Sequence, residues 1–234
     1  MQCVILAAGE GTRLRPLTLE VPKALVPVSG KPLINHIVEA LPSAIDEIFM
    51  VTGYREEQIK AHCGSEFCGR KVTYVHQEVP EGTAAALFLC KDLLNGRFLI
   101  MLGDDIHGAE DIARAVSYTR SILVSVVTNP ERFGVVTENP DGTLAEVVEK
   151  PTHAPSNLAS TGTMVLDEHI FEYDIPKEGR IEGREYYLTD VLARYAKDFP
   201  IAVVEQTLWI PIGYPEDIEK AEKILTDRVE SERK

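Results

Sequence analysis

Apolar and polar positions follow two rhythms along the chain. The runs Cys3-Val4-Ile5-Leu6, Ile48-Phe49-Met50-Val51, Val72-Thr73-Tyr74-Val75, Phe98-Leu99-Ile100-Met101-Leu102 and Ile122-Leu123-Val124-Ser125-Val126-Val127 read as strands. Between them the spacing becomes helical. Leu33, Ile37 and Leu41 share one face of a helix whose first turn takes Pro32. A second helix starts at Thr83, carries Ala84 to Leu89 and is expected to stop near Asn95-Gly96. Strand and helix alternating over roughly the first 130 residues predict a parallel sheet with crossover helices.

The rhythm then changes. Gly134-Val135-Val136-Thr137, a turn at Asn139-Pro140-Asp141-Gly142, and Leu144 to Val148 read as a hairpin. Residues 160–166 and 201–205 predict further strands, and 187–197 a helix. Pro215-Glu216-Asp217 opens a last helix with acids in its first turn and Ile218, Ala221 and Leu225 as its apolar stripe. No internal repeat or interdomain linker interrupts this order. A chain of 234 residues suits one α/β domain, with room for a small appended lobe.

Charge narrows the class of partner. The net charge of −13 argues against a nucleic-acid or anionic membrane surface. Residues 1–35 run the other way, with Arg13, Arg15, Lys23 and Lys31 against Glu10 and Glu20. A small positive island in an acidic protein suits a discrete anionic ligand. No basic, apolar N-terminal signal segment is visible, and no apolar run approaches the roughly 20 residues that span a bilayer. Cys3, Cys63, Cys68 and Cys90 read as thiols of a cytoplasmic protein, since no second pair accompanies Cys63 and Cys68 to complete a metal site.

The first apolar run leads into Ala7-Ala8-Gly9-Glu10-Gly11-Thr12-Arg13. Glycines let backbone N–H groups face an anion, and Arg13 and Lys23 add fixed positive charge beside them. The Gly-x-x-x-x-Gly-Lys-Ser/Thr spacing is absent, and the Gly-x-Gly-x-x-Gly fingerprint lacks its third glycine. A strand, an N–H-rich loop and paired cations predict a polyphosphate site.

The order Gly9-Glu10-Gly11-Thr12-Arg13-Leu14-Arg15-Pro16, then Pro22-Lys23-Ala24-Leu25-Val26-Pro27-Val28, strongly resembles the sugar-1-phosphate nucleotidylyltransferases. The resemblance implies a Rossmann-like mixed, mostly parallel sheet flanked by helices, with a small β-rich sugar-binding lobe. It divides one nucleotidyltransferase domain into a nucleotide-binding half over about 1–130, a sugar-binding half over about 131–214 and a C-terminal helix over 215–234. No hexapeptide β-helix extension is expected after this core.

Gly103-Asp104-Asp105 follows an apolar strand, where ligands of a parallel sheet collect. Two acids there suit Mg²⁺, or an acidic turn capping the next helix. The resemblance implies Asp104 as a metal ligand. It also implies Leu6, Ala7, Ala8, Gly9, Gly11 and Thr12 around the nucleotide, Arg13 and Lys23 as catalytic cations, and Gln77, Gly82 and Thr83 as base contacts. Read alone, Gly82-Thr83 is simply a helix start. Gly134, Glu149, Lys150 and Thr161 match the family's sugar-phosphate pocket. Glu185, Tyr186, Thr189 and Asp190 match another segment without an assigned role.

One departure stands out. The family carries Trp-x-Asp-x-Gly near its C-terminus, with that acid as second Mg²⁺ ligand, whereas this chain has Trp209-Ile210-Pro211-Ile212-Gly213. The resemblance implies Mg²⁺-dependent conversion of an NTP and a sugar-1-phosphate into an NDP-sugar and pyrophosphate, with UTP or dTTP and a hexose-1-phosphate as first expectation. Pro211 keeps open a silent nucleotide-sugar-binding regulatory subunit. The first motif also keeps open a cytidylyltransferase for a non-sugar phosphate. Resembling enzymes often self-associate, so a homo-oligomer is compatible.

Overall fold

The first four apolar runs become adjacent parallel strands of one ten-stranded sheet. The computed structural model describes residues 1–175 and 185–232. In chain order, β1 (Gln2–Ala7) leads to α1 (Leu33–Glu39), β2 (Glu47–Thr52), α2 (Glu56–Cys63) and β3 (Arg70–His76). Then come α3 (Thr83–Phe88), β4 (Arg97–Leu102), α4 (Ala109–Ser117) and β5 (Ser121–Val126). The hairpin forms β6 (Gly134–Glu138) and β7 (Leu144–Glu149), followed by β8 (Leu158–Asp167), α5 (Leu188–Tyr195), β9 (Ala202–Glu205) and α6 (Pro215–Glu232).

The strand residues alternate between two core layers. Cys3, Ile5, Ile48, Met50, Leu99 and Met101 face one layer, packed with α1, α2 and Ala221 of α6. Val4, Phe49, Phe98 and Ile100 face the other, packed with α3 and α5. Helices on both faces explain why these strands are apolar without interruption. Each fully buried side chain contributes about 1.5–3 kcal/mol from burial alone.

The fifth apolar run departs from the expected parallel order. β8 runs antiparallel beside β4, pairing Met164 with Ile100 and Asp167 with Arg97. β5 joins the sheet on β8 and takes β9 as its own parallel neighbour. An apolar run says that a strand is buried; it does not say which strand lies beside it. The hairpin also docks on β8, through Val135 and Val136 against Ala159 and Leu158. The sheet therefore runs β7-β6-β8-β4-β1-β2-β3 without a break.

Three local expectations shift. α3 ends at Phe88, because the chain then tightens into i→i−3 turns such as Cys90 N–H to Leu87 O at 2.9 Å. Pro32 precedes α1 as its cap and pairs with Pro27 in a two-residue ladder. The last helix is described to Glu232, and residues 233–234 lie outside the described residues. All four cysteines are free; Cys3, Cys63 and Cys90 are buried and Cys68 is exposed.

Candidate active site

Parallel strands end together, so β1, β2, β3 and β4 deliver their C-terminal residues to one edge of the sheet. That edge opens into a cleft of about 1230 Å³. From β1, Leu6 and Ala7 reach its floor, and Ala8 to Thr12 wrap its wall. The backbone N–H groups of Gly9, Glu10 and Gly11 have no protein partner among the described residues. Such groups in a tight loop form an anion-binding concavity. Gly11 carries φ 63 and is held from behind by the Thr18 hydroxyl, which donates to its carbonyl at 2.8 Å.

Lys23 and Asp104 meet below this loop. Lys23 follows Pro22 into a short 3₁₀ turn, Asp104 follows β4, and Lys23 Nζ donates to Asp104 Oδ2 at 2.5 Å. The lysine side chain is 13% exposed and the aspartate 33%, so the pair sits at the cleft wall rather than in free solvent. Arg13 lines the same cleft, stacked over the Tyr214 ring at 5.3 Å.

Asp105 turns away from this pair. Its Oδ2 accepts from Trp209 Nε1 at 2.9 Å and the residue is buried. Burial first, and the Asp104 charge second, push its carboxyl well above the usual carboxylate range. Pro211 stands opposite Asp105 in the short ladder between Asp105–His107 and Trp209–Pro211, and Ile212 N–H donates to Asp104 O at 3.1 Å. Pro211, at the place where the resemblance implies an acid, thus lies across from Asp105 and is a ring without donor atoms.

Gln77, also bordering the cleft, continues β3, its N–H donating to Thr52 O at 2.8 Å. Its side-chain amide reaches toward Gly82 O at 3.5 Å. Gly82 has φ 107, and a Cβ there would lie 2.5 Å from Tyr186 O. The Tyr186 backbone behind it, which accepts Ala84 N–H at 2.9 Å, therefore already demands a glycine here. Thr83 Oγ1 accepts from Leu188 N–H at 2.9 Å, tying α3 to α5.

The opposite wall carries Gly134, Glu149 and Lys150. A Cβ on Gly134 would meet Thr189 Cγ2 at 2.9 Å and Glu149 Oε2 at 3.1 Å. The space it leaves lets Thr189 donate to Glu149 Oε2 at 2.8 Å. Lys150 adopts φ 44, which turns it off the strand, and its Nζ donates to Tyr187 Oη at 3.1 Å. Burial alone would lower the Lys150 ammonium; the Tyr187 hydroxyl and the Glu149 charge outweigh it and hold the ammonium above its ordinary range. Thr161 also lines the cleft, but its hydroxyl donates to Leu123 O at 3.1 Å within the sheet.

All the sequence-predicted site residues thus border one cleft. Sequence reasoning missed Tyr187, Trp209 and Tyr214, and left Thr189 without a role. Tyr187 and Thr189 lie about forty residues beyond their partners, and nothing local in the chain announces that α5 returns against β7.

The nucleotidyl transferase family model matches residues 2–228. The UTP–glucose-1-phosphate uridylyltransferase AglF of Haloferax volcanii is 37% identical over 97% of each chain. The bifunctional protein GlmU of Methanocaldococcus jannaschii is 34% identical over all of this chain and 56% of its own, so the chain spans about half the length of that relative. A crystal structure from Bacillus anthracis, provisionally named a glucose-1-phosphate thymidylyltransferase, superposes with a TM-score of 0.82 at 29% identity, covering 96% of this chain and 94% of its own. Matched over nearly its whole length and folded in the same way, the chain belongs to the nucleotidyl transferase family.

Proposed function

We propose that the protein joins a nucleoside triphosphate to a sugar-1-phosphate, releasing pyrophosphate and an NDP-sugar. The observation that carries this reading is the placing of two cationic groups across one cleft. Lys23, paired to Asp104 under the N–H-rich loop, faces Lys150 beside Glu149 on the far wall. One wall suits a triphosphate and the other an acceptor phosphate with neighbouring hydroxyls. On this reading residues 1–130 serve the nucleotide, 131–214 the sugar, and the C-terminal helix backs both.

The acceptor oxygen attacks the α-phosphorus, and the bond from that phosphorus to the oxygen bridging the β-phosphate breaks. A phosphate monoester has its second pKa at roughly 6 and is already largely ionised near neutrality, so no general base is required. The obstacle is repulsion between two anions and charge gathering on the leaving group. Fixed cations and alignment supply most of the catalysis in such transfers. Arg13 and the free N–H groups hold the leaving phosphates, Lys23 neutralises charge at the cleft floor, and Lys150 seats the acceptor.

The residues suit magnesium in one particular way. Asp104 Oδ1 has no hydrogen-bond partner among the described residues, whereas Asp105 is committed to Trp209 and Pro211 offers nothing. Among the described residues no cluster of three or more potential ligand side chains occurs. One carboxylate together with substrate phosphates and water is an ordinary donor set for Mg²⁺. When bound, Mg²⁺ would neutralise phosphate charge, with Asp104 as its protein ligand. Gln77 and the AglF likeness support UTP or dTTP as donor and a hexose-1-phosphate as acceptor.

The test is pyrophosphate release from a panel of nucleoside triphosphates and sugar-1-phosphates, with and without Mg²⁺. Magnesium-dependent release with a sugar-1-phosphate is expected, and no release from any combination would overturn the reading. Pro211 supports a second reading, a nucleotide-sugar-binding subunit without turnover. Ligand-raised melting temperature with no pyrophosphate release would favour that one.

A further inference from the structure

Five basic residues border the cleft among the described residues, and three already have carboxylate partners. Lys23 pairs with Asp104, Lys150 with Glu149 and Lys220 with Asp217. Among the described residues Arg13 and Arg132 have no ion pair and no hydrogen bond from their guanidinium groups; each rests on Tyr214, at 5.3 Å and 5.7 Å from its ring. They reach that ring from opposite sides of the fold. Arg13 comes from the loop after β1, Arg132 from the 3₁₀ turn Pro130–Arg132 that precedes β6. Tyr214 itself is fixed, because its N–H donates to Asp217 Oδ2 at 2.8 Å at the start of α6.

Two like charges gathered on one ring repel each other. An exposed cation–π contact returns only about 0.5–1 kcal/mol apiece. The arrangement gains purpose when an anion of high charge density enters between them. Guanidinium groups suit that task, since their planar fork matches paired phosphate oxygens and stacks on aromatic faces. Resting on the proposed nucleotidyl transfer, we propose that Arg132 is a second phosphate-binding residue, which with Arg13 grips the β- and γ-phosphates that leave as pyrophosphate. Tyr214 is the positioning residue that holds both guanidinium groups ready. The acceptor phosphate is the weaker candidate, because Lys150, held by Glu149 and Tyr187, is already placed to receive it.

The probe is inorganic pyrophosphate, titrated by calorimetry into the full chain with Mg²⁺, alongside steady-state kinetics. Arg132→Ala is expected to weaken pyrophosphate binding and raise the KM for the triphosphate by ten-fold to about a hundred-fold, the worth of a charged hydrogen bond. The KM for the sugar phosphate should stay within about two-fold. Tyr214→Phe, which keeps the ring, should bind as the unaltered protein does, while Tyr214→Ala should lose at least three-fold; a merely structural tyrosine would lower the melting temperature without moving this affinity. Failure of the unaltered chain to bind pyrophosphate overturns the proposal, as does folded Arg132→Ala binding within two-fold of it. A chain that turns over no substrate pair but shows the Arg132-dependent affinity overturns the transfer reading and leaves this one standing.

Discussion

Pro211 lies directly across a two-stranded ladder from Asp105, and its neighbour Ile212 hydrogen-bonds to the Asp104 carbonyl. Pro211 borders the same cleft as Asp104 and Asp105 and brings no donor atom to it. Pro211→Asp should lower the Mg²⁺ concentration for half-maximal pyrophosphate release by several-fold, because a second carboxylate joins the donor set. A magnesium titration of both proteins reads the difference; unchanged dependence would mean that position 211 does not face the metal.

Lys23 is partly buried against Asp104 and contributes little to either core layer. Lys23→Ala should leave the circular dichroism spectrum unchanged and reduce kcat by about 10²–10³-fold, the scale seen when one group stabilising transition-state charge is removed. Turnover near that of the unaltered protein would remove Lys23 from the mechanism.

Gly134 and Gly82 should fail in different ways. Gly134→Ala pushes on Thr189 and Glu149 side chains that can give way, so it should raise the KM for the sugar phosphate while sparing that for the triphosphate. Gly82→Ala puts a Cβ on a residue at φ 107 and pushes it onto the Tyr186 backbone, which cannot move cheaply. A loss of about 1–3 kcal/mol in urea denaturation is expected, from strain in a region that side chains rarely adopt.

His107 is buried, with Nδ1 beside Gln206 Oε1 at 2.9 Å and Nε2 beside Thr163 Oγ1 at 3.0 Å. Burial lowers its pKa below the ordinary histidine value. The unfolded chain then binds the proton more readily than the folded one, so stability falls as pH drops from about 6.5 toward the folded value. His107→Gln should flatten that slope by up to about 1.4 kcal/mol per pH unit within this window. Paired urea titrations at pH 7.5, 6.5 and 5.5 measure it, and parallel profiles for both proteins would refute the assignment.

Legibility in the sequence followed the range of the interaction. The strand residues of β1, β2 and β4 announce themselves because burial on both faces leaves no polar position in their centres. Arg13 and Lys23 were readable because their motif is contiguous. The insertion of β8 between β4 and β5 was not, since antiparallel or parallel neighbours leave the same apolar signature. Thr189 and Tyr187 were equally hidden, for their partners Glu149 and Lys150 are met only after α5 folds back. Gly82 was marked by its motif, and only the fold reveals that a tyrosine backbone also occupies the space where a Cβ would go.

β8 has one more consequence. Its ten residues hydrogen-bond to β6 and β4 along one edge and to β5 along the other. A hinge between β4 and the β6–β7 hairpin would have to tear that ladder. The cleft-lining residues of segments 130–133 and 209–214 lie outside that ladder, so on the proposed reading grafting these segments between relatives is a route to altered selectivity.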